Sequence, residues 1–162
     1  ANPRGRYIYE YARPAVAADV AIVSLDLEPQ VLLIRRGGEP FRGAWALPGG
    51  FVDPQEPLAA AAERELLEET GLRDVAMEQI GAFGDPGRDP RGWVISIVFL
   101  ARVDRRLVKP AAGDDAAEVG WHRLDQLPAN LAFDHGRILE RFERVWRRSH
   151  RERATGKAGR RE

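Results

Sequence analysis

The chain has 162 residues, and its 25 basic and 25 acidic residues give a formal net charge of zero. That length supports one domain with a sizeable core, and the balanced charge argues against a global field for nucleic acid or a membrane surface. Cysteine is absent, which excludes disulfides, thiolate metal sites and cysteine nucleophiles. No apolar run reaches the ~18 residues of a membrane span and no signal-peptide core opens the chain, so a cytoplasmic protein is expected.

In chain order, Pro14 to Leu25 alternates towards a β-strand, and Val31 to Ile34 reads as a second strand after the turn at Glu28-Pro29. Arg35-Arg36-Gly37-Gly38 follows as a polar loop at the strand end. Ala44 to Leu47 leads into a glycine turn, Leu47-Pro48-Gly49-Gly50. Pro57 to Thr70 is rich in Ala, Leu and Glu and predicts a helix, stopped by Gly71. Val75 to Phe83 predicts a strand, and GDPGRDPRG, residues 84–92, a long rigid loop. Trp93 to Val103 is the strongest strand in the chain, and Val119 to His122 begins a short one. Phe133 to Trp146 predicts a second helix with an apolar stripe of Ile138, Leu139, Phe142, Val145 and Trp146. One domain over residues 1–148 is expected. Residues 149–162 are charged and nearly without apolar surface, the composition of a disordered tail. Strands, helix, strands, helix is an α/β order that fits a mixed sheet between helices.

The chemistry concentrates near the end of the first helix. Glu65, Glu68 and Glu69 are spaced to share one helix face. Three adjacent carboxylates repel one another unless a cation neutralises them. Hard oxygen ligands of this kind suit Mg²⁺ or Mn²⁺. Glycines at 49 and 50 let the backbone come close to an ion and a phosphate.

Gly50, Glu56, Arg64-Glu65, Glu68-Glu69 and Gly71-Leu72 stand at spacings that resemble the Nudix box, with every constrained position filled. The resemblance implies a Nudix α/β/α sandwich and a Mg²⁺-dependent hydrolase of a nucleoside diphosphate linked to another group. It implies Glu65 and Glu69 as principal metal ligands, Glu68 assisting, and the Gly49 carbonyl as a backbone ligand. It also implies that Arg64 orients the carboxylates and pairs with Glu56. Pro86 lies fifteen residues after Gly71, a spacing similar to that of the ADP-ribose pyrophosphatase branch. The segments YEYARPAV, FGDPGRDPRG and LAFDH resemble the same branch. Related transcriptional regulators share those segments but add a DNA-binding domain, for which no room is expected here. The implied reaction is ADP-ribose plus water giving AMP and ribose 5-phosphate. Other nucleotides, or an ADP-ribose sensor that does not cleave, are the alternatives.

Outside the box, Glu118 and then Asp115, in the polar segment AGDDAAEVGW, are the expected general bases. Arg88 and Arg91 in the rigid loop, and one of Arg35 and Arg36, are the expected diphosphate contacts, because Arg binds phosphate in a bidentate fork. Phe41, Trp45 and Phe51 flank the glycine turn as packing or as a stacking surface, and Trp45 is carried forward as a substrate contact. Tyr7, Tyr9 and Tyr11 alternate as on a strand face, to cover a base or to form the edge of an expected homodimer. Asp134 is placed to cap the second helix, and His122 and His135 read as structural. The expected partner is a small nucleotide, with no nucleic acid and no membrane.

Overall fold

The computed structural model describes residues 9–113 and 116–144. Its elements are β1 (Ala15–Ser24), β2 (Gln30–Arg36), β3 (Trp45–Ala46), β4 (Gly49–Phe51), α1 (Leu58–Thr70), β5 (Met77–Phe83), β6 (Val94–Val103) and β7 (Ala116–Arg123). Residues 135–144 are helical and are called α2.

β1 and β6 are near-continuous apolar strands, the pattern of strands covered on both faces. They pair in parallel from Ala15↔Val94 to Ser24↔Val103. The remaining strand pairings are antiparallel, so the sheet is mixed. Its order is β3-β2-β1-β6-β5, with β4 on β1 and β7 on β2.

Alternation along the central strands separates two cores. Ala18, Val20 and Ile22 of β1, with Phe99 and Ala101 of β6, pack against Ala61, Ala62 and Leu66 of α1. Ala21 and Val23, with Val98 and Leu100, pack against Ile138, Leu139 and Phe142 of α2. The sheet therefore lies between the two helices, the α/β/α arrangement expected. Among the described residues no helix is long and apolar enough to cross a membrane.

α1 begins after Pro57, whose φ of −62° and ψ of 142° are extended and which gives no side-chain cap. The helix ends at Gly71 in the left-handed region, φ 71°, where the Gly71 N–H donates to the Leu67 carbonyl at 2.9 Å. The last carbonyls of α1 take partners from the chain after β6. Ala111 N–H donates to Thr70 O at 2.9 Å and Gly113 N–H to Glu69 O at 3.2 Å. A Cβ at Gly113 would lie 1.6 Å from Glu68 O, so that contact requires glycine.

Several boundaries differ from expectation. Arg35 and Arg36 belong to β2 and not to a loop, because they continue the ladder with Glu118 and Ala116 of β7. β7 starts at Ala116, which moves Glu118 out of the polar loop and into a strand. β3 and β4 are two- and three-residue strands, too short for periodicity to show. Val145, Trp146, Tyr7, Asp115 and residues 149–162 lie outside the described residues.

Candidate active site

The turn Leu47-Pro48-Gly49-Gly50 is fastened by groups from three elements. Leu47 N–H donates to His135 Nδ1 at 2.9 Å. Val20 N–H donates to Pro48 O at 2.8 Å. Gly49 N–H donates to Glu69 Oε2 at 2.8 Å. Both glycines are demanded by close approach. A Cβ at Gly49 would stand 2.4 Å from Asp19 Oδ1, and one at Gly50 would stand 2.4 Å from Glu65 Oε1. The two box carboxylates Glu65 and Glu69 thus press against the glycine turn from α1.

Arg64 organises the acids beside it. Its Nε and Nη2 reach Glu56 at 2.8 and 2.9 Å, the pairing expected. Nη2 also donates to Phe51 O at 3.1 Å, and Nη1 to Glu65. Glu68 Oε2 lies 3.5 Å from the same Nη1, with its side chain 59% exposed. The Arg64 hydrogen bond, helped by Asp53 N–H, holds the Glu56 carboxyl down at about 2. Glu56 in turn raises the Arg64 guanidinium further above its ordinary value.

Glu65 and Glu69 behave oppositely to Glu56. Burial pushes the Glu69 carboxyl up to about 8; the Gly49 N–H opposes this, and the charges of Glu65 and Asp19 add to it. Burial also raises Glu65, against the pull of Arg64. Glu69 is buried with a backbone N–H and, among the described residues, no cation bonded to it, and a divalent cation supplies the charge that is missing there. Among the described residues no three acids or histidines gather into a ready-made metal cage. The fit to a cation therefore rests on the Glu65–Glu69 pair, the open glycine backbone and their unmet charge.

Beside the turn lies a narrow cavity of about 50 Å³, lined by Asp19, Arg36, Gly49, Gly50, Phe51 and Arg91 among others. Arg36, Arg88 and Arg91 are its cations, and Arg88 is paired with Asp134. Arg36 lies over the Phe133 ring at 5.0 Å, and Arg91 lies 4.5 Å from the centroid of Phe51 and 5.2 Å from that of Phe133. Arg91 is also held by Asp89, with Nε to Oδ1 at 3.0 Å and Nη2 to Oδ2 at 2.7 Å. A second cavity, of about 630 Å³, adjoins the first through Arg88 and Phe133 and is walled by Pro86, Leu131, Asp134 and Arg137. That volume is in the range of small-ligand pockets.

Not every expected residue is brought here. Arg35 points away from the cavities: it is exposed, and it pairs with Glu118 at 3.5 Å and donates to Gly43 O. Glu118 has its side chain 55% exposed. Its neighbours Val119 and Trp121 pack into the α1 core, so alternation turns Glu118 to the other face of β7. Trp45 lines neither cavity; it packs in the α2 core and meets His122 edge-on at 4.3 Å. Arg88 does line both cavities, but its guanidinium is engaged by Asp134, with Nη2 to Oδ1 at 2.6 Å and Nε to Oδ2 at 3.1 Å. Asp134 therefore does not cap α2 with its side chain, although its carbonyl accepts the Ile138 N–H. Tyr9 and Tyr11 are exposed and line neither cavity.

Other residues at the site were not singled out from sequence. Asp19 is 6% exposed and accepts from the Ser96 hydroxyl. Its signal was a lone acid inside an apolar strand, AVAADVAIVS. Phe133 was not singled out either; it and Phe41, which the sequence placed beside the glycine turn, both hold left-handed backbone, φ 53° and 63°, and their rings meet edge-on at 4.9 Å. Strained backbone of this kind clusters at functional sites, and nothing in the residue types announces it.

Comparison with known proteins agrees with the geometry. The NUDIX domain family model matches residues 14–142. The ADP-ribose pyrophosphatase of Methanocaldococcus jannaschii is 46% identical over 134 residues, covering 83% of this chain and 76% of that protein. The ADPR responsive transcriptional repressor NtrR of Acinetobacter baylyi is 38% identical, over 81% of this chain and 54% of the repressor. Among solved structures, the NUDIX domain of Shewanella oneidensis NrtR complexed with ADP ribose superposes with a TM-score of 0.73 at 31% identity, covering 83% of this chain and 90% of that one.

Proposed function

The chain belongs to the Nudix family, and we propose that its site hydrolyses the diphosphate bridge of ADP-ribose, giving AMP and ribose 5-phosphate. One observation carries this reading. Glu65, held by Arg64, and buried Glu69, bonded among the described residues only by a backbone N–H, face a glycine turn, and a second cavity walled by Pro86 adjoins the turn's cavity. The first arrangement suits a diphosphate with its metal, and the second suits the group beyond it. The 46% identity to an ADP-ribose pyrophosphatase supports the same substrate.

The residues fit Mg²⁺, with Mn²⁺ as a substitute, through the carboxylates of Glu65 and Glu69, with Glu68 beside them, and the Gly49 carbonyl. When bound, such an ion lowers the pKa of water and neutralises charge on phosphate oxygens. Arg64 holds Glu65 and Glu56 in place beside the turn. Arg36 and Arg91, the latter held by Asp89, offer positive charge to the diphosphate. Phe51 and Phe133 wall the cavity. Glu68, the exposed acid of the corner, takes the proton from the attacking water, since Glu118 faces the opposite side of β7. The reading includes a cytoplasmic homodimer with a small nucleotide as its ligand, and sedimentation velocity checks the assembly.

A second reading, ADP-ribose held without cleavage, is favoured by the resemblance to the NtrR repressor. The complete set Glu65, Glu68 and Glu69 favours hydrolysis. The test is a panel of nucleoside diphosphate compounds and nucleoside triphosphates with Mg²⁺, products identified by mass spectrometry. ADP-ribose should give AMP and ribose 5-phosphate with the highest kcat/KM. A higher value for any triphosphate overturns the substrate, and tight ADP-ribose binding without products establishes the sensor.

A further inference from the structure

Three buried polar residues at the rim of the core have no part in the chemistry above: Asp19, Ser96 and His135. Burying polar groups is costly unless they are bonded, so their placement needs an account. His135 stands at the start of α2 and is 3% exposed. Its Nδ1 accepts the Leu47 N–H at 2.9 Å. A ring nitrogen that accepts carries no proton, so the proton of the neutral imidazole is assigned to Nε2. Burial favours that neutral form. Nε2 faces Asp19 Oδ2 at 3.8 Å, too long for a hydrogen bond but close enough for electrostatic orientation. The Ser96 hydroxyl donates to the same Asp19 oxygen and fixes the carboxylate.

On the other side of this chain is the glycine turn. Leu47 is 1% exposed, so its N–H has no water to replace His135. Asp19 is the register partner of Gly49, and its Oδ1 sits where a Gly49 Cβ would collide. The turn is thus pinned at Leu47 by α2, at Pro48 by β1 and at Gly49 by α1. Release of the first pin would let Leu47 and Gly49 shift relative to Glu65 and Glu69.

We propose that His135 is a positioning residue: oriented by Asp19 and Ser96, it sets the place of the Gly49-Gly50 turn against the carboxylates of α1. The proposal rests on the hydrolytic reading of that corner, and its test separates the two. In His135→Asn the amide oxygen takes the place of Nδ1 and still accepts from Leu47. In His135→Gln the amide reaches towards Asp19 and leaves Leu47 without an acceptor. Amide hydrogen exchange at Leu47 and Gly49, read by NMR without added metal, reports the turn directly. In the Gln variant, Leu47 exchange should rise at least ~10-fold and kcat should fall ~10–100-fold with KM within ~3-fold, the scale of lost orienting contacts. The Asn variant should stay near wild type in both measurements. A folded Gln variant with wild-type exchange, or with faster exchange and unchanged kcat, overturns the proposal. So does an Asn variant as impaired as the Gln variant. If the wild-type protein hydrolyses no compound of the panel, the hydrolytic reading fails and the claim that turn placement serves catalysis is overturned, whereas the exchange data still decide whether His135 holds the turn.

Discussion

Two buried charged corners of the site differ in electrical closure. At the Arg88 corner a guanidinium 4% exposed meets a carboxylate 12% exposed in a bidentate pair. Positive and negative charge cancel there, and the pair serves as a wall of the larger cavity. At the Gly49 corner Glu69 is buried near Glu65 and Asp19, with a backbone N–H as its bonded donor. Charge is left unmet there. The lesson is that a closed pair shapes a site, whereas an open one recruits a ligand of opposite sign.

The largest effect should come from opening the closed corner. Arg88→Leu leaves the Asp134 carboxylate buried without a partner and should destabilise the fold by ~3–5 kcal/mol. The double variant Arg88→Leu, Asp134→Leu should recover much of that loss, as read by urea unfolding. A single variant as stable as wild type would mean that the pair is not closed in solution.

Closing the open corner should cost activity while sparing the fold. Glu69→Gln keeps the shape and removes the charge. Its turnover with Mg²⁺ should fall at least ~100-fold, or about 2.7 kcal/mol in activation free energy. Near-wild-type turnover at saturating metal would remove Glu69 from the metal site. Glu68→Gln should also impair kcat, and Glu118→Gln should be nearly silent. The reverse result would return the base to Glu118.

The open corner also predicts a pH effect in the metal-free protein. A raised Glu69 pKa means that, between about 4.5 and about 8, the folded state binds a proton that the unfolded state does not. Stability then falls as pH rises through that window. Thermal melts in chelator should show Tm declining from pH 5 to pH 8, by less in Glu69→Gln, and Mg²⁺ should restore Tm most at the upper end. A slope unchanged by the substitution would assign it to other groups.

Smaller effects sharpen the role of the second cavity. Pro86→Ala should raise KM for ADP-ribose by ~3–10-fold with little change in kcat, as expected where uniform binding is lost. A fall in kcat alone would place Pro86 with the chemistry. Removal of residues 149–162 should leave turnover unchanged, because their composition has little apolar surface to bury.

Much of the Gly49 corner was legible because its parts are near in sequence. Gly49 to Gly71 is a turn followed by one helix, and helical geometry alone places Glu65, Glu68 and Glu69 together. The mixed sheet and its covering helices were legible for a similar reason. β1 and β6 advertise burial on both faces through unbroken apolar runs. Asp19, Ser96 and His135 were not legible as a group. They come from two central strands and the second helix, and only the β1–β6 register and the docking of α2 bring them together. The side on which Glu118, Arg35 and Trp45 fall was equally hidden. Arg35 and Arg36 are adjacent and chemically identical, yet alternation on β2 puts one in the cavity and the other in solvent. Sequence by itself thus determined the composition of the acidic corner and its family, because local geometry is a function of local residues. Tertiary structure alone decided which distant charges meet that corner and which are cancelled before reaching it. Strand register and face depend on pairings that no single segment contains.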